Sequence, residues 1–216
     1  QMCIRDSVIP LHSEFINSEN VHDKLQSFNG ILVAPGFGER GVEGKIEAIK
    51  YVRLNNIPFF GICYGMQMAV IEYARNMLKL DDANSTEVNP NTKNPVIDLM
   101  EEQKNITEKG GTMRLGAWKC DITRETLCHS VYKTENIEER HRHRYELNNK
   151  YLNQLEENGL VASGKNKDTN LVEVVEVKEH PWFIGVQYHP EYKSTVLSPH
   201  PLFVSFVSAA ILNKNK

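Results

Sequence analysis

No apolar run in these 216 residues approaches the ~20 positions needed for a membrane-spanning helix. No signal-peptide pattern opens the chain. No glycine-rich loop ends in Lys-Ser/Thr, so nothing here would cradle nucleotide phosphates in the P-loop manner. Cysteine is scarce. Cys3, Cys63, Cys120 and Cys128 show neither metal-ligand pairing nor a disulfide framework, so no metal site is expected and a reducing, cytoplasmic setting is. Neither sign of charge predominates. A formal charge of −3 with 25% charged residues gives no basic surface for nucleic acid. With 40% hydrophobic residues the chain can bury one full core and reads as one soluble domain.

The most informative stretch runs from Ile57 to Gln67. The apolar run Ile57-Pro58-Phe59-Phe60-Gly61-Ile62 ends at Cys63, with Gly65 following and a helical pattern from Met66. This is the layout of a nucleophile elbow, in which a buried strand delivers a side chain onto a tight turn above a helix. Glycines at 61 and 65 suit a strained turn where strand and helix approach closely. A cysteine at a helix N-terminus feels the positive end of the macrodipole, which favours the thiolate.

A second apolar run, Phe183-Ile184-Gly185-Val186-Gln187-Tyr188, opens into His189-Pro190-Glu191. A thiol that attacks an amide needs a base, and the base needs an acceptor to fix its tautomer. Cys63, His189 and Glu191 supply these roles in that order. The attack creates an oxyanion, which requires backbone N–H donors. The elbow offers that of Tyr64. A second is expected from the Pro35-Gly36-Phe37-Gly38 turn after the strand at 31–34, and because Pro35 has no N–H the donor must be Gly36.

Strands and helices alternate along the chain, as in a sheet covered by helices. Strands are expected at 8–12, 31–34, 57–62, 113–122 and 171–177. Helices are expected at 43–55, 66–80, 149–158 and 201–212, the last burying Phe203, Phe206, Val207, Ala210 and Ile211. The polar stretch 81–111 reads as a loop.

The elbow together with His189-Pro190-Glu191 resembles the triad of the class I glutamine amidotransferases, which hydrolyse the glutamine side-chain amide. Four further strings narrow the resemblance to the amidotransferase domain of the CTP synthase family. They are Ala83-Asn-Ser-Thr-Glu87, Gly110-Gly-Thr-Met-Arg-Leu-Gly116, Glu139-Arg-His-Arg-His-Arg-Tyr-Glu146 and His180-Pro-Trp-Phe183. The resemblance implies an α/β fold, a mostly parallel open sheet flanked by helices, here lacking its first strand and helix. Residues 1–7 match nothing in that family and read as a foreign end, so 8–216 is expected to be part of a domain that is poorly active alone.

By the same resemblance, L-glutamine is held by Gly36, Tyr64, Gly65, Met66, Gln67, Glu87, Arg144 and Tyr145. Glu87 and Gln67 take the amino-acid end, and Arg144 with Tyr145 the α-carboxylate. Arg40 lies in a lid linked to GTP as an allosteric effector. No cofactor is implied for this domain. ATP, UTP and Mg²⁺ would bind an N-terminal synthetase domain, absent here, in a homo-oligomer that is tetrameric in the family. On composition alone, the run from Glu139 to Glu146 is also compatible with a solvated face or with a metal or nucleic-acid site. Two other readings are a stand-alone γ-glutamyl hydrolase and a non-catalytic, regulatory amidotransferase-like module.

Overall fold

The computed structural model describes residues 7–99 and 113–214. It is an α/β fold, as expected. A seven-stranded sheet runs in the order β1 (Ile31–Val33), β2 (Phe59–Ile62), β10 (Phe183–Val186), β9 (Val172–Val177), β8 (Leu160–Lys165), β5 (Arg114–Ile122) and β6 (Asn136–His143). Within this sheet, parallel pairing is confined to β1, β2 and β10. From β9 onward each strand pairs antiparallel with its neighbour.

Strands β2 and β10 are buried on both faces, and β2 shows why. Phe59 and Phe60 are both fully buried on opposite sides. Phe59 packs on Phe183 at 4.4 Å between centroids, under the helices α2 (Val42–Leu54) and α3 (Tyr64–Asn76). Phe60 packs on Trp182 and Phe203, beneath α6 (Pro201–Lys214). A strand covered twice reads as a continuous apolar run without alternation, which is how the sequence shows it.

Glycines let α3 sit down on those strands. A Cβ on Gly65 would lie 2.3 Å from the Val33 carbonyl, and one on Gly61 would lie 2.7 Å from the Gly65 backbone. No real Cβ tolerates either contact. The first turn of α3 therefore rests directly on β1 and β2.

Several expectations are corrected. Residues 8–12 form no strand; Val8, Ile9 and Leu11 are exposed, with no neighbouring strand among the described residues to pair with. The helix expected at 66–80 starts two residues earlier and ends at Asn76. The segment 149–158 divides into a 3-10 turn (Asn149–Tyr151) and α5 (Leu152–Glu157). Helix α6 buries only Leu202 fully; Phe203, Phe206, Ala210 and Ile211 are half-buried, and Val207 is exposed. Its apolar residues circle the helix, so periodicity could not choose a face.

The polar stretch holds strands as well. β3 (Asn84–Ser85) and β4 (Pro95–Leu99) join β7 (Tyr145–Leu147) in a separate three-stranded sheet. Residues 100–111 of the expected loop lie outside the described residues, as do 110–112 of the string at 110–116. The strands β6 and β8 were not legible as strands. The small helices α1 (Val21–Leu25) and α4 (Leu127–Tyr132) complete the fold.

Replacing Gly65 by Ala should push α3 off β1. We expect a loss of ~1–3 kcal/mol, the usual cost of overpacking, measurable as a lower urea midpoint with an unchanged m-value. An unaltered midpoint would show that the close approach is not required.

Candidate active site

Two parallel neighbours bring the separated motifs together. In the register of β2 with β10, Ile62 lies beside Val186, and the Cys63 N–H donates to the Val186 carbonyl at 2.7 Å. Parallel strands end at the same rim of a sheet. Cys63 and Gln187 therefore leave their strands side by side, and His189 follows two residues later.

Cys63 has φ +51° and ψ −99°. A side chain in that region costs ~1–3 kcal/mol of backbone strain, and the packing of strand and helix on either side holds it there. The expected elbow is present.

His189 Nδ1 and Glu191 Oε1 are 2.7 Å apart, so the carboxylate fixes the ring with Nε2 as its other pole. That Nε2 is buried and has no hydrogen-bond partner. The His189 backbone N–H donates to the Arg140 carbonyl at 2.8 Å, which pins the turn to β6. The structure thus forms the imidazole–carboxylate half of the expected relay. The thiol is not hydrogen-bonded to the ring; it accepts an N–H from Gln187 at 3.7 Å.

The expected thiolate is corrected too. Burial pushes the Cys63 thiol up to about 12, with Glu146 and Glu191 adding to the rise and the Tyr64 and Gln187 donors opposing it. At 4% exposure desolvation outweighs the ~0.3–1 kcal/mol that a helix dipole supplies. On this balance Cys63 rests as a neutral thiol.

Of the residues expected to bind glutamine, Tyr64, Gly65 and Met66 form the first turn of α3, and Gly36 packs on the Tyr64 ring. The Tyr64 hydroxyl donates to the Gly38 carbonyl. The Gly38 N–H donates to Glu87 at 3.2 Å, which ties the turn at 35–38 to the segment after β3. Burial raises the Glu87 carboxyl, while the Gly38 N–H and the charge of Arg144 hold it down. Tyr145 feels both Glu87 and Arg144. Glu87, Arg144 and Tyr145 thus share one electrostatic neighbourhood.

Buried Gln67 is held inside the protein, donating to the Tyr145 carbonyl at 2.9 Å and to Gln187 Oε1 at 3.3 Å. Arg40 lies apart from this group, exposed and paired with Glu14 at 2.5 Å.

Behind the site lies a ring of buried charge that sequence reasoning missed. Arg114 pairs with Glu173 at 2.6 Å and approaches Glu146 at 3.6 Å. His141 and His143 are linked at 2.8 Å and lie 3.7 Å and 3.3 Å from Glu173 and Glu146 respectively. Burial drives His141 down to about 2 and His143 to about 3, helped by Arg114, so both rings are neutral. Burial also raises both carboxyls, Glu146 the further.

The signal for this ring was in the sequence. In Glu139-Arg140-His141-Arg142-His143, burial alternates strictly, with the histidines and Glu139 inward and the arginines outward. That is a strand whose inner face is polar rather than a solvated run. Gln187 was missed as well, because it lay inside an apolar run.

A separate cleft of about 760 Å³, lined in part by Arg124, Leu127, Glu156, Lys165 and Lys178, contains none of these site residues. Among the described residues, no group of His, Cys, Asp or Glu is arranged to hold a metal ion, and no helix is long and apolar enough to cross a membrane.

The family model for class-I glutamine amidotransferases matches residues 6–209. The CTP synthase of Flavobacterium johnsoniae is 68% identical over 205 residues, covering 95% of this chain and 38% of that protein. The CTP synthase of Clostridium perfringens is 58% identical over 204 residues, covering 94% and 38%. The chain thus spans less than two-fifths of the length of these relatives. The glutaminase domain of Trypanosoma brucei CTPS, solved with bound acivicin, superposes with a TM-score of 0.90 at 38% identity, covering 96% of this chain and 81% of that one.

Arg114→Met should leave two buried carboxyls without their cation, at ~3–5 kcal/mol of stability. Both carboxyls have folded pKa values raised by burial. Stability tied to their protonated forms is therefore present at low pH and lost as pH rises through those values. The defect should be smaller at pH 5 than at pH 8 in chemical denaturation. A defect independent of pH would contradict this account of the ring.

Proposed function

This chain belongs to the class-I glutamine amidotransferase family, and from that premise we propose that it hydrolyses glutamine to supply ammonia for ATP-dependent amination of UTP to CTP. The observation that carries the reading is the register of β2 with β10. It sets Cys63 beside the turn in which His189 is bonded to Glu191.

The chemistry follows from the groups present. The Cys63 S–H proton passes to Nε2 of His189, the nitrogen left without a partner. The sulfur electron pair attacks the amide carbon, and the carbonyl electrons move onto oxygen, held by the N–H groups of Tyr64 and Gly36. When the tetrahedral species collapses, the C–N bond breaks and the nitrogen takes the proton from His189, leaving as ammonia. Water, deprotonated by the same Nε2, then splits the γ-glutamyl thioester to glutamate and restores the thiol. Glu191 holds the imidazole in one tautomer and stabilises its protonated form.

In this reading Glu87 meets the α-ammonium of glutamine and Arg144 its α-carboxylate, since each is the opposite charge. Gly65 and Met66 shape the floor of the site. Gln67 acts from beneath, through Tyr145 and Gln187. UTP, ATP and Mg²⁺ belong to the amination step, carried out by a synthetase region of the longer protein in a cytoplasmic homo-oligomer. Arg40 is the candidate contact for GTP as an effector.

In the full-length protein, a glutamine-mimicking electrophile should label Cys63 alone by peptide mass. Cys63→Ala should abolish glutamine-dependent ammonia release while free ammonia still supports CTP formation. Labelling at another residue, or ammonia release that survives the substitution, would overturn the assignment.

A further inference from the structure

We propose that Gln187 is a catalytic residue of this site, its side-chain amide holding the ionised Cys63 sulfur while Gln67 aims that amide. The inference rests on the glutamine-hydrolysing reading above and adds to it a residue outside the triad and the oxyanion donors.

Three contacts form a chain. Gln67 Nε2 donates to the Tyr145 carbonyl at 2.9 Å and to Gln187 Oε1 at 3.3 Å, and Gln187 Nε2 donates to Cys63 Sγ at 3.7 Å. The direction is forced from one end. A backbone carbonyl only accepts, so Gln67 must present its nitrogen to Tyr145. The second N–H of that nitrogen then selects the oxygen of Gln187, which leaves the Gln187 nitrogen for the sulfur. An amide that could otherwise turn over is thereby fixed.

The position is built rather than incidental. Gln187 is fully buried, and its backbone N–H donates to the Glu173 carbonyl at 2.8 Å. It leaves β10 directly beside Cys63, in the register that places Ile62 against Val186. A bare amide here would be a costly thing to bury without a partner. Both ends of this one are satisfied, and one end is the nucleophile.

A neutral thiol is a poor acceptor and a thiolate a good one. The N–H···S bond therefore strengthens as charge develops on sulfur, which is the differential binding that lowers a barrier. The surrounding charges make such a donor necessary. Glu146 on β7 and Glu191 on the histidine turn both oppose a negative sulfur, and burial does so more strongly. Against them stand the Tyr64 N–H, the Gln187 amide and His189 once it has taken the proton.

The test is the pH dependence of Cys63 inactivation by a glutamine-mimicking electrophile, in the full-length protein, with kcat and KM for glutamine measured alongside. Gln187→Met keeps most of the volume and removes the donor. Its inactivation profile should move alkaline by about 1–2 pH units, and kcat should fall ~10–100-fold, the loss of one hydrogen bond to a charged group. KM should stay within about 2-fold. Gln67→Leu should shift the profile the same way by less, because Gln187 then loses its orientation. It decides the matter if Gln187→Met does not fold.

A wild-type profile in the folded variants, with Cys63 labelled normally, would overturn the role of Gln187 and leave the triad intact. Failure of the electrophile to label Cys63 in the unaltered protein would overturn both readings.

Discussion

The parallel pairing of β2 with β10 is the constraint on which the rest of the molecule depends. It is a backbone property, a ladder of N–H···O bonds in one register, yet it decides where every reacting group stands. Shifting that register by one residue would turn Phe59 and Phe60 to the wrong faces and separate Cys63 from Gln187. The aromatic packing on both faces, Phe59 on Phe183 and Phe60 on Trp182, holds the register against such a slip. The elbow strain is sustained by the same packing, with α3 resting on glycine backbone where no other residue would fit.

A second constraint is electrostatic. The site stands against a buried ring of Arg114, Glu146, Glu173, His141 and His143, held by ion-pair approaches in which several polar atoms make no hydrogen bond. A ring of this kind contributes little net stability compared with apolar packing. It does span the two sheets. Arg114 and His143 belong to the large sheet and Glu146 to the small one, so their approach ties the two sheets together on either side of Arg144. The carbonyl of Tyr145 then anchors Gln67. Glu87, in the segment just after β3, is bonded to the Gly38 N–H. Glu87, Arg144 and Tyr145 are thus set by segments other than those that carry Cys63, His189 and Glu191.

The elbow, the His-Pro-Glu turn and the alternation of early strands and helices could be read from the residues, because each is a local pattern with a local cause. Gly61 and Gly65 flank a cysteine for reasons of close approach, and Val33 and Ile62 end strands that glycines follow. Other elements carried no such mark. The strand at 136–143 alternates histidine with arginine, so its inner face is polar and its period was hidden. The strands at 84–85 and 95–99 are too short and too polar to show one. Helix 201–214 is apolar all round, and only its packing on Phe60 and Trp182 tells which side is buried.

The state of the nucleophile divides the same way. A cysteine at a helix N-terminus was evident, and the dipole argument for a thiolate was sound as far as it went. How deeply Cys63 is buried, and that Glu146 and Glu191 lie within electrostatic reach of it, are facts about distant segments. Together they reverse the sign. The residues by themselves determined which groups could attack, accept a proton and orient the base, because those are properties of side chains and of their immediate neighbours. Only the tertiary structure decided that His189 keeps Nε2 without a hydrogen bond, that the Cys63 thiol rests on a glutamine amide and that a closed ring of charge lies near them. Contacts of this kind arise from the pairing of strands far apart in the chain; a local pattern such as the alternation from Glu139 to His143 marks which groups point inward but not what they meet.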